Sequence, residues 1–535
     1  MTIAHRTVDA LRVAGIDTLF CLPGVQNDPF FDALVDAPDI RPIVARHEQG
    51  TSYMAMGASQ VTGEPSACAV VPGPGLLNAG AGLTSAYWAG GRVFTISGAV
   101  PAPLMGKHTG VLHDLPDQGA VFDQVTKSRV VLDDGATAVS ALQGALDDLV
   151  SGVPRPVGVE VPADRWNAPA DGTLVAPTAH RPDVGQAPID WVADLLAAAE
   201  QPLVVVGGGA YDASAEITAL VERLGCPVFT RRQGLGVVPG AHPLSCPLPV
   251  GREFWRTADV VIAFGTRLEF PLHWGTDDDM TVVMVNIDET ELDRHGLGFL
   301  GVHADCADAA SALLAALDGR PITGSDQSGL VAERRAAFER ETAHLEPQRS
   351  ILAAIDGVMP DDGVLVEDVT QIGFAAHIMY DHRAPRQFLT TGAAGTLGAA
   401  VPHAIGAQVG APDRPVVGII GDGGFGFSAM EMATAVQHDI PVTWIVFEDG
   451  AYGNVKRIQS ETFGPDRTIA STLRNPDFVA MGRAFDLHSV GVDTPEGLAT
   501  ELGAAIDRDA PSLIVMSVPD MPNPWPWLRL GTVRG

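Results

Sequence analysis

The chain has 535 residues, enough for about three domains of roughly 100–200 residues each. Hydrophobic residues are 46% and charged residues 19%, a globular balance that argues against disorder and needs no disulfide or metal staples. With 34 Lys and Arg against 65 Asp and Glu, the net charge of −31 repels phosphate backbones and anionic lipid and argues against nucleic-acid and membrane-surface roles.

The first sixteen residues read as an amphipathic helix without the 7–15-residue apolar region of a signal peptide. No run approaches the roughly 18 apolar residues that cross a bilayer, so a cytoplasmic protein with no membrane partner is expected. Cys21, Cys68, Cys226, Cys246 and Cys306 form no CxxC pair or zinc spacing, and reduced, buried thiols are expected.

Short apolar runs then alternate with helical patterns. Strands are predicted at Thr18–Leu22, Arg41–Arg46, Ser66–Val71, Arg92–Ser97 and Pro156–Pro162, with a helix from about Gln49. This βαβ rhythm predicts a parallel sheet with function at the strand C-termini. Trp166–Gln186 carries Pro, Gly and Asp without apolar periodicity and reads as a linker. A second α/β unit starts near Ala187, with strands Pro202–Val206, Val228–Thr230, Val260–Phe264 and Thr281–Asn286. Leu330 to about Leu345 reads as a charged connecting helix. The third unit starts near Ile351, with strands Val364–Glu367, Pro415–Ile420, Pro441–Phe447 and Ser512–Ser517. The fold class is therefore α/β, three domains of parallel sheet flanked by helices, at 1–165, 187–330 and 351–535.

The sharpest motif is Gly421-Asp422-Gly423-Gly424-Phe425, followed by Glu448-Asp449-Gly450-Ala451-Tyr452-Gly453. Asp422 and Asp449 are 27 residues apart and each follows an apolar strand. Phe427–His438 reads as the crossover helix between them, so two parallel strands would place both carboxylates at one sheet edge. Glycines allow an anion close to the backbone, and the next helix offers its first N–H groups. Two carboxylates, a carbonyl and phosphate oxygens suit a Mg²⁺ or Ca²⁺ diphosphate site. Ordinary βα turns are the plain alternative for such residues.

This pattern resembles the thiamine-diphosphate signature of the pyruvate decarboxylase and acetolactate synthase superfamily. Thr391–Gly398 with Pro402–Ala407, Arg46-His47-Glu48-Gln49-Gly50, and Pro72–Gly75 with Asn78 are similar to further family stretches in the same order. The resemblance implies thiamine diphosphate and Mg²⁺, the metal held by Asp422, Asp449 and the Ala451 carbonyl. It implies Glu48 as the acid that pushes a proton onto the cofactor's aminopyrimidine ring, in a pocket that raises its pKa. The plain alternative is a glutamate favoured by a helix N-terminus. Leu397 is the apolar prop that bends the cofactor, or else a core leucine. Pro23, Asn78, Thr370, Gln371, Gly395, Thr396, Gly421, Gly423, Gly424, Tyr452 and Gly453 complete the implied cofactor contacts.

His113 and Gln118 are implied on the substrate side, His113 where acetolactate synthases place a glutamine. Val25 and Val71 stand where some relatives carry polar groups. Glu448-Asp449 departs from the family's Asn-Asn and adds charge beside the diphosphate. Gly207-Gly208-Gly209 is a weak nucleotide signal, and Thr266–Pro271 stands where FAD-binding synthases carry a basic, aromatic and acidic stretch, so FAD is not expected. The implied activity removes CO₂ from a 2-oxo acid and passes the rest to an acceptor carbonyl. Alternatives are a decarboxylase or C–C lyase of the benzoylformate decarboxylase or benzaldehyde lyase type and, in another class, a nucleotide-binding module without catalysis. A homodimer or homotetramer with sites between subunits is implied, acting on a small 2-oxo acid or aldehyde.

Overall fold

The computed structural model describes residues 1–269 and 271–535. Phe270, within the Thr266–Pro271 stretch, lies outside the described residues.

Runs of Val, Ile and Ala buried on both faces form three six-stranded parallel sheets. The first holds β1 (Thr18–Cys21), β2 (Arg41–Val44), β3 (Ser66–Val70), β4 (Val93–Ala99), β5 (Ser128–Val131) and β6 (Val157–Pro162). The second holds β7 (Pro202–Val206), β8 (Val228–Thr230), β9 (Ser245–Cys246), β10 (Val260–Phe264), β11 (Thr281–Asn286) and β12 (Leu300–His303). The third holds β13 (Val364–Glu367), β14 (Phe388–Leu389), β15 (Val416–Gly421), β16 (Thr443–Glu448), β17 (His488–Val492) and β18 (Ser512–Ser517).

The strand orders are β2-β1-β3-β4-β6-β5, β12-β11-β10-β7-β8-β9 and β14-β13-β15-β16-β18-β17. The first and third sheets share one winding. Strand order reverses between β1 and β3, between β7 and β10, and between β13 and β15. Open α/β sheets bind ligands in the crevice beyond such reversals, at the strand C-termini. All three crevices hold glycine-bearing turns named above.

The N- and C-terminal domains are joined by a shared core. The helix Glu48–Thr62 lies against the helix Ala400–Gly410, and Tyr53, Met54, Ala404 and Ile405 belong to one buried cluster. The backbones approach closely: a Cβ on Gly406 would stand 1.8 Å from the Met54 carbonyl oxygen.

Two expected helices need correction, and the expected linker gains an anchor. The crossover helix is not the single element Phe427–His438. The chain turns into helix at Asp422, runs to Ser428, tightens to 3₁₀ over Ala429–Glu431 and resumes over Met432–Gln437. Glycines 423, 424 and 426, which read as a turn, lie inside its first segment. The Trp166–Gln186 linker is anchored at its start. Trp166 is fully buried, stacks on Phe30 and donates from Nε1 to the Gln26 carbonyl at 2.8 Å. The connecting helix spans Ser328–Glu341, and its Val331 and Phe338 pack into a core of the central domain.

All five cysteines are free and buried. Burial pushes the thiols of Cys21, Cys68, Cys226 and Cys246 up to about 12, so they are inert as nucleophiles. Among the described residues no helix is long and apolar enough to cross a membrane.

Candidate active site

β15 and β16 pair in parallel with Gly421 opposite Phe447, so Asp422 and Asp449 emerge at the same edge. Asp422 Oδ1 accepts the Gly423 N–H at 2.8 Å, so the first helical amide is taken by the aspartate itself. Asp422 Oδ2 accepts the Gly450 N–H at 2.8 Å and Asn475 Nδ2 at 2.7 Å. Asp449 Oδ1 accepts the Ala451 N–H at 3.0 Å. Burial, reinforced by the Asp422 charge, pushes the Asp449 carboxyl up to about 6. A carboxyl whose proton affinity is raised beside a second carboxylate is relieved by a cation between the two.

A cavity of about 800 Å³ opens above this pair. Among the described residues its lining comes wholly from the C-terminal domain. It brings together Thr370, Gln371, Leu397, Gly421, Asp422, Gly423, Gly424, Asp449, Ala451, Tyr452 and Gly453 of the sequence-implied set. Asn475 was missed by sequence reasoning. It lies in no motif, yet its amide bridges Asp422 and Glu448, the latter at 3.1 Å.

The Leu397 turn is held from two domains. Asp368, just beyond β13, accepts the Val369 N–H at 2.7 Å and the Ala400 N–H at 3.2 Å. Its full burial pushes its carboxyl up to about 7, with the backbone donors, Gly398 N–H among them, pulling the other way. From the N-terminal domain, Tyr53 donates its hydroxyl to Thr396 Oγ1 at 2.9 Å, and Ser85 Oγ stands 3.3 Å from the same atom. Thr396 thus faces its own chain's N-terminal domain, and Gly395 beside it is left-handed with φ +57°. Asp368 followed a predicted strand, as Asp422 does, and that parallel was its only sequence signal.

The other residues gather at the β1/β3 crevice. Glu48 is the first residue of its helix and half-buried. Its Oε2 accepts from Asn78 Nδ2 at 3.0 Å. Val71 lies beside it: a Cβ on Gly24 would meet Val71 at 2.4 Å, and one on Gly75 would meet Val71 at 2.6 Å and Glu48 Oε1 at 3.5 Å. Pro23 and Val25 are exposed on the same turn. Gln118 accepts the Gly73 N–H at 2.9 Å and donates to the Gly98 carbonyl at 2.8 Å and to Glu160 at 3.1 Å, so its amide is committed to holding this loop. His113 has φ +66° and a buried Nδ1 without a hydrogen-bond partner. The structure thus forms two half-sites within one chain.

The central crevice is a cleft of about 1510 Å³ lined by Gly207–Gly209 and several arginines. Three of its cations are matched from within. Arg267 pairs with Glu291 at 3.2 Å and lies over Trp88, Arg386 pairs with Asp212 at 2.9 Å, and Arg155 stands 3.7 Å from Asp288.

The C-terminal half-site fits a metal-bound diphosphate. Besides the two aspartates and the Ala451 carbonyl, Gln371 Oε1 is buried without a hydrogen-bond partner and lines the cavity. Parallel sheets with paired acids at neighbouring strand C-termini, beside a strand reversal, suit a protein that binds a phosphorylated ligand. The comparisons name the cofactor. The thiamine pyrophosphate enzyme N-terminal TPP binding domain matches residues 1–121, the central domain 189–313, and the C-terminal TPP binding domain 368–516. The chain belongs to the thiamine pyrophosphate enzymes.

It is 32% identical to a probable 2-ketoarginine decarboxylase of Pseudomonas aeruginosa, over 91% of this chain and 88% of the relative. It is 27% identical to the acetolactate synthase isozyme 1 large subunit of Escherichia coli, over 100% and 97%. It is 29% identical to a sulfoacetaldehyde acetyltransferase of Castellaniella defragrans, over 95% and 91%.

Proposed function

We propose that the protein is a thiamine-diphosphate- and Mg²⁺-dependent carboligase or lyase of 2-oxo acids, of the acetolactate synthase type. The observation that carries the reading is the pair Asp422 and Asp449 at one edge of β15 and β16, beneath a cavity that also holds Leu397. A second reading ends in release of the decarboxylated product, and the decarboxylase relative favours it. Reconstitution with thiamine diphosphate and Mg²⁺, followed by a screen of donors and acceptors with CO₂ detection, separates the two. Coupled product supports ligation, free aldehyde supports decarboxylation, and no CO₂ from any 2-oxo acid overturns both.

When bound, the cofactor supplies a thiazolium carbon that acts as a nucleophile toward a carbonyl. Asp422, Asp449 and the Ala451 carbonyl would hold Mg²⁺, which would neutralise the diphosphate. Thr370, Gln371, Gly421, Gly423, Gly424, Tyr452 and Gly453 enclose that end. Leu397, fixed through Asp368 and Thr396, would give the bound cofactor an apolar support and orient it. Glu48 uses Oε2 to accept from Asn78 and keeps Oε1 for the proton exchanged with the aminopyrimidine ring. His113 offers its unpartnered Nδ1 to substrate protons, and Gln118 acts by holding Gly73.

The two half-sites call for a second chain. Glu48 and Asn78 lie outside the lining of the Asp422 cavity. Large apolar side chains stand exposed near both halves: Val25, Leu77 and Leu112 on one, Phe427 and Met430 on the other. A homodimer, or a dimer of such dimers, covers them and completes two sites per pair. The domain bounds proposed are 1–165, 187–330 and 351–535. The cytoplasm is the proposed compartment, in keeping with five free thiols. Flavin is left out of the reading, because Arg155, Arg267 and Arg386 of the central cleft already have acidic partners.

Asp449→Asn is expected to bind thiamine diphosphate as tightly as the native chain or more tightly. It keeps a side-chain oxygen for the metal and removes one charge from beside the diphosphate. Calorimetric titration at saturating Mg²⁺ checks this, and a large loss of affinity would show that the second charge is required.

A further inference from the structure

We propose that Glu431, a side chain of the C-terminal domain, is the positioning residue for Glu48 in the N-terminal domain of the same chain. The proposal rests on the reading of Glu48 as the proton-exchanging acid.

β2 is an edge strand, so its outer N–H groups have no strand partner. The C-terminal domain supplies acceptors for them. The Val44 N–H donates to His438 Nε2 at 3.0 Å. Two residues on, the Arg46 N–H donates to Glu431 Oε1 and Oε2, each at 3.1 Å. The His47 N–H donates to Glu431 Oε1 at 3.0 Å. Thr434 donates its hydroxyl to Glu431 Oε2 at 2.6 Å. Glu431 is 2% exposed, so this carboxylate is spent on two backbone amides and one hydroxyl. The residue after those amides is Glu48.

Gly50 is an independent sign that the approach is built in. It lies within the helix that starts at Glu48. A Cβ there would stand 2.3 Å from Glu431 Oε1. The glycine is needed as room for the carboxylate, and any other residue at 50 would push the carboxylate away from the turn.

The chemistry explains why such a clamp is useful. A proton-exchanging carboxyl must meet one ring atom at hydrogen-bond distance, and small misplacements cost much of the rate. Glu48 begins a helix, where the backbone has not yet gained its own ladder bonds. Neutral acceptors would hold the two preceding amides less firmly than a buried carboxylate does. The clamp comes from the helical run that opens with Asp422, so both half-sites of one chain are tied to a single segment.

The test uses full-length Glu431→Ala, Glu431→Asp and Glu431→Gln. Amide hydrogen exchange of residues 44–50 is followed in cofactor-free protein. H/D exchange at thiamine C2 is followed after reconstitution with thiamine diphosphate and Mg²⁺. Glu431→Ala and Glu431→Asp are expected to lose about tenfold or more in protection at Arg46 and His47, the scale of a charge-assisted hydrogen bond. They are expected to slow C2 exchange by at least a similar factor, with cofactor affinity changed less than about threefold, since Glu431 touches no part of the Asp422 cavity. Glu431→Gln keeps one acceptor oxygen but not the charge and is expected to recover part of both. Should Glu431→Ala fail to fold, the Asp and Gln pair carries the comparison. Unchanged amide protection in folded Ala and Asp variants overturns the proposal, as do loosened amides with native C2 exchange. If Glu48→Gln itself exchanges C2 at the native rate, the underlying reading fails and the proposal falls with it, whatever the amides do.

Discussion

Glu48→Gln is expected to fold, to bind thiamine diphosphate and to lose C2 proton exchange by a factor of about 10²–10⁴, the range of a positioned acid–base group. Glutamine has the same shape and keeps an oxygen for Asn78 Nδ2, so the local packing survives. The substitution removes a negative charge from the first turn of a helix, worth only about 0.3–1 kcal/mol, which is too little to unfold a large domain. What glutamine lacks is a proton to give and take. Exchange is read by acid quench and proton NMR of the cofactor released from enzyme held in D₂O. Near-native exchange in a folded, cofactor-loaded variant would sink the assignment of Glu48.

Asp422→Ala is expected to lose metal-dependent cofactor binding altogether. Its effect reaches past the missing ligand, because Asp422 Oδ2 also collects Gly450 N–H and Asn475 Nδ2. Removing the acceptor leaves those donors unpaired and frees the turn that carries Asp449 and Ala451. Dialysis against thiamine diphosphate with and without Mg²⁺ measures the loss, and retained metal-dependent binding would contradict it.

Mixing this inactive chain with inactive Glu48→Gln chains then tests the shared site. Random pairing makes half the dimers mixed, and each mixed dimer has one intact site, so about a quarter of native activity is expected. No recovery, with subunit exchange demonstrated by mass, would mean that each site is built within one chain.

The central strands were legible because burial on both faces demands continuous apolar runs, as in Val416–Ile420 and Val260–Phe264. The strands that escaped, β5, β9, β12, β14 and β17, are short, and all five lie at sheet edges. Half-exposed edges such as Ser128–Val131 and His488–Val492 need no apolar run and so leave little pattern. The helix at Asp422 was read too late because three glycines inside it mimic a turn. At the site, spacing alone suggested that Asp422 and Asp449 meet, since strand–crossover–strand geometry makes the meeting local. Asn475, Asp368, Tyr53 and Glu431 act through contacts between distant segments, and no spacing rule reaches 343 residues from Tyr53 to Thr396.

The covering of β2 by the C-terminal domain also bears on how the chain is made. Val44 and His438, which bond across that edge, are 394 residues apart. At about 5–20 residues per second, a ribosome needs roughly 20–80 s to emit the segment that covers a strand finished near the start. Through that interval the first sheet carries an open edge whose free amides can pair with a neighbouring nascent chain. The edge of the first sheet is therefore covered late in synthesis, and truncated chains ending before residue 438 are expected to aggregate more readily through it.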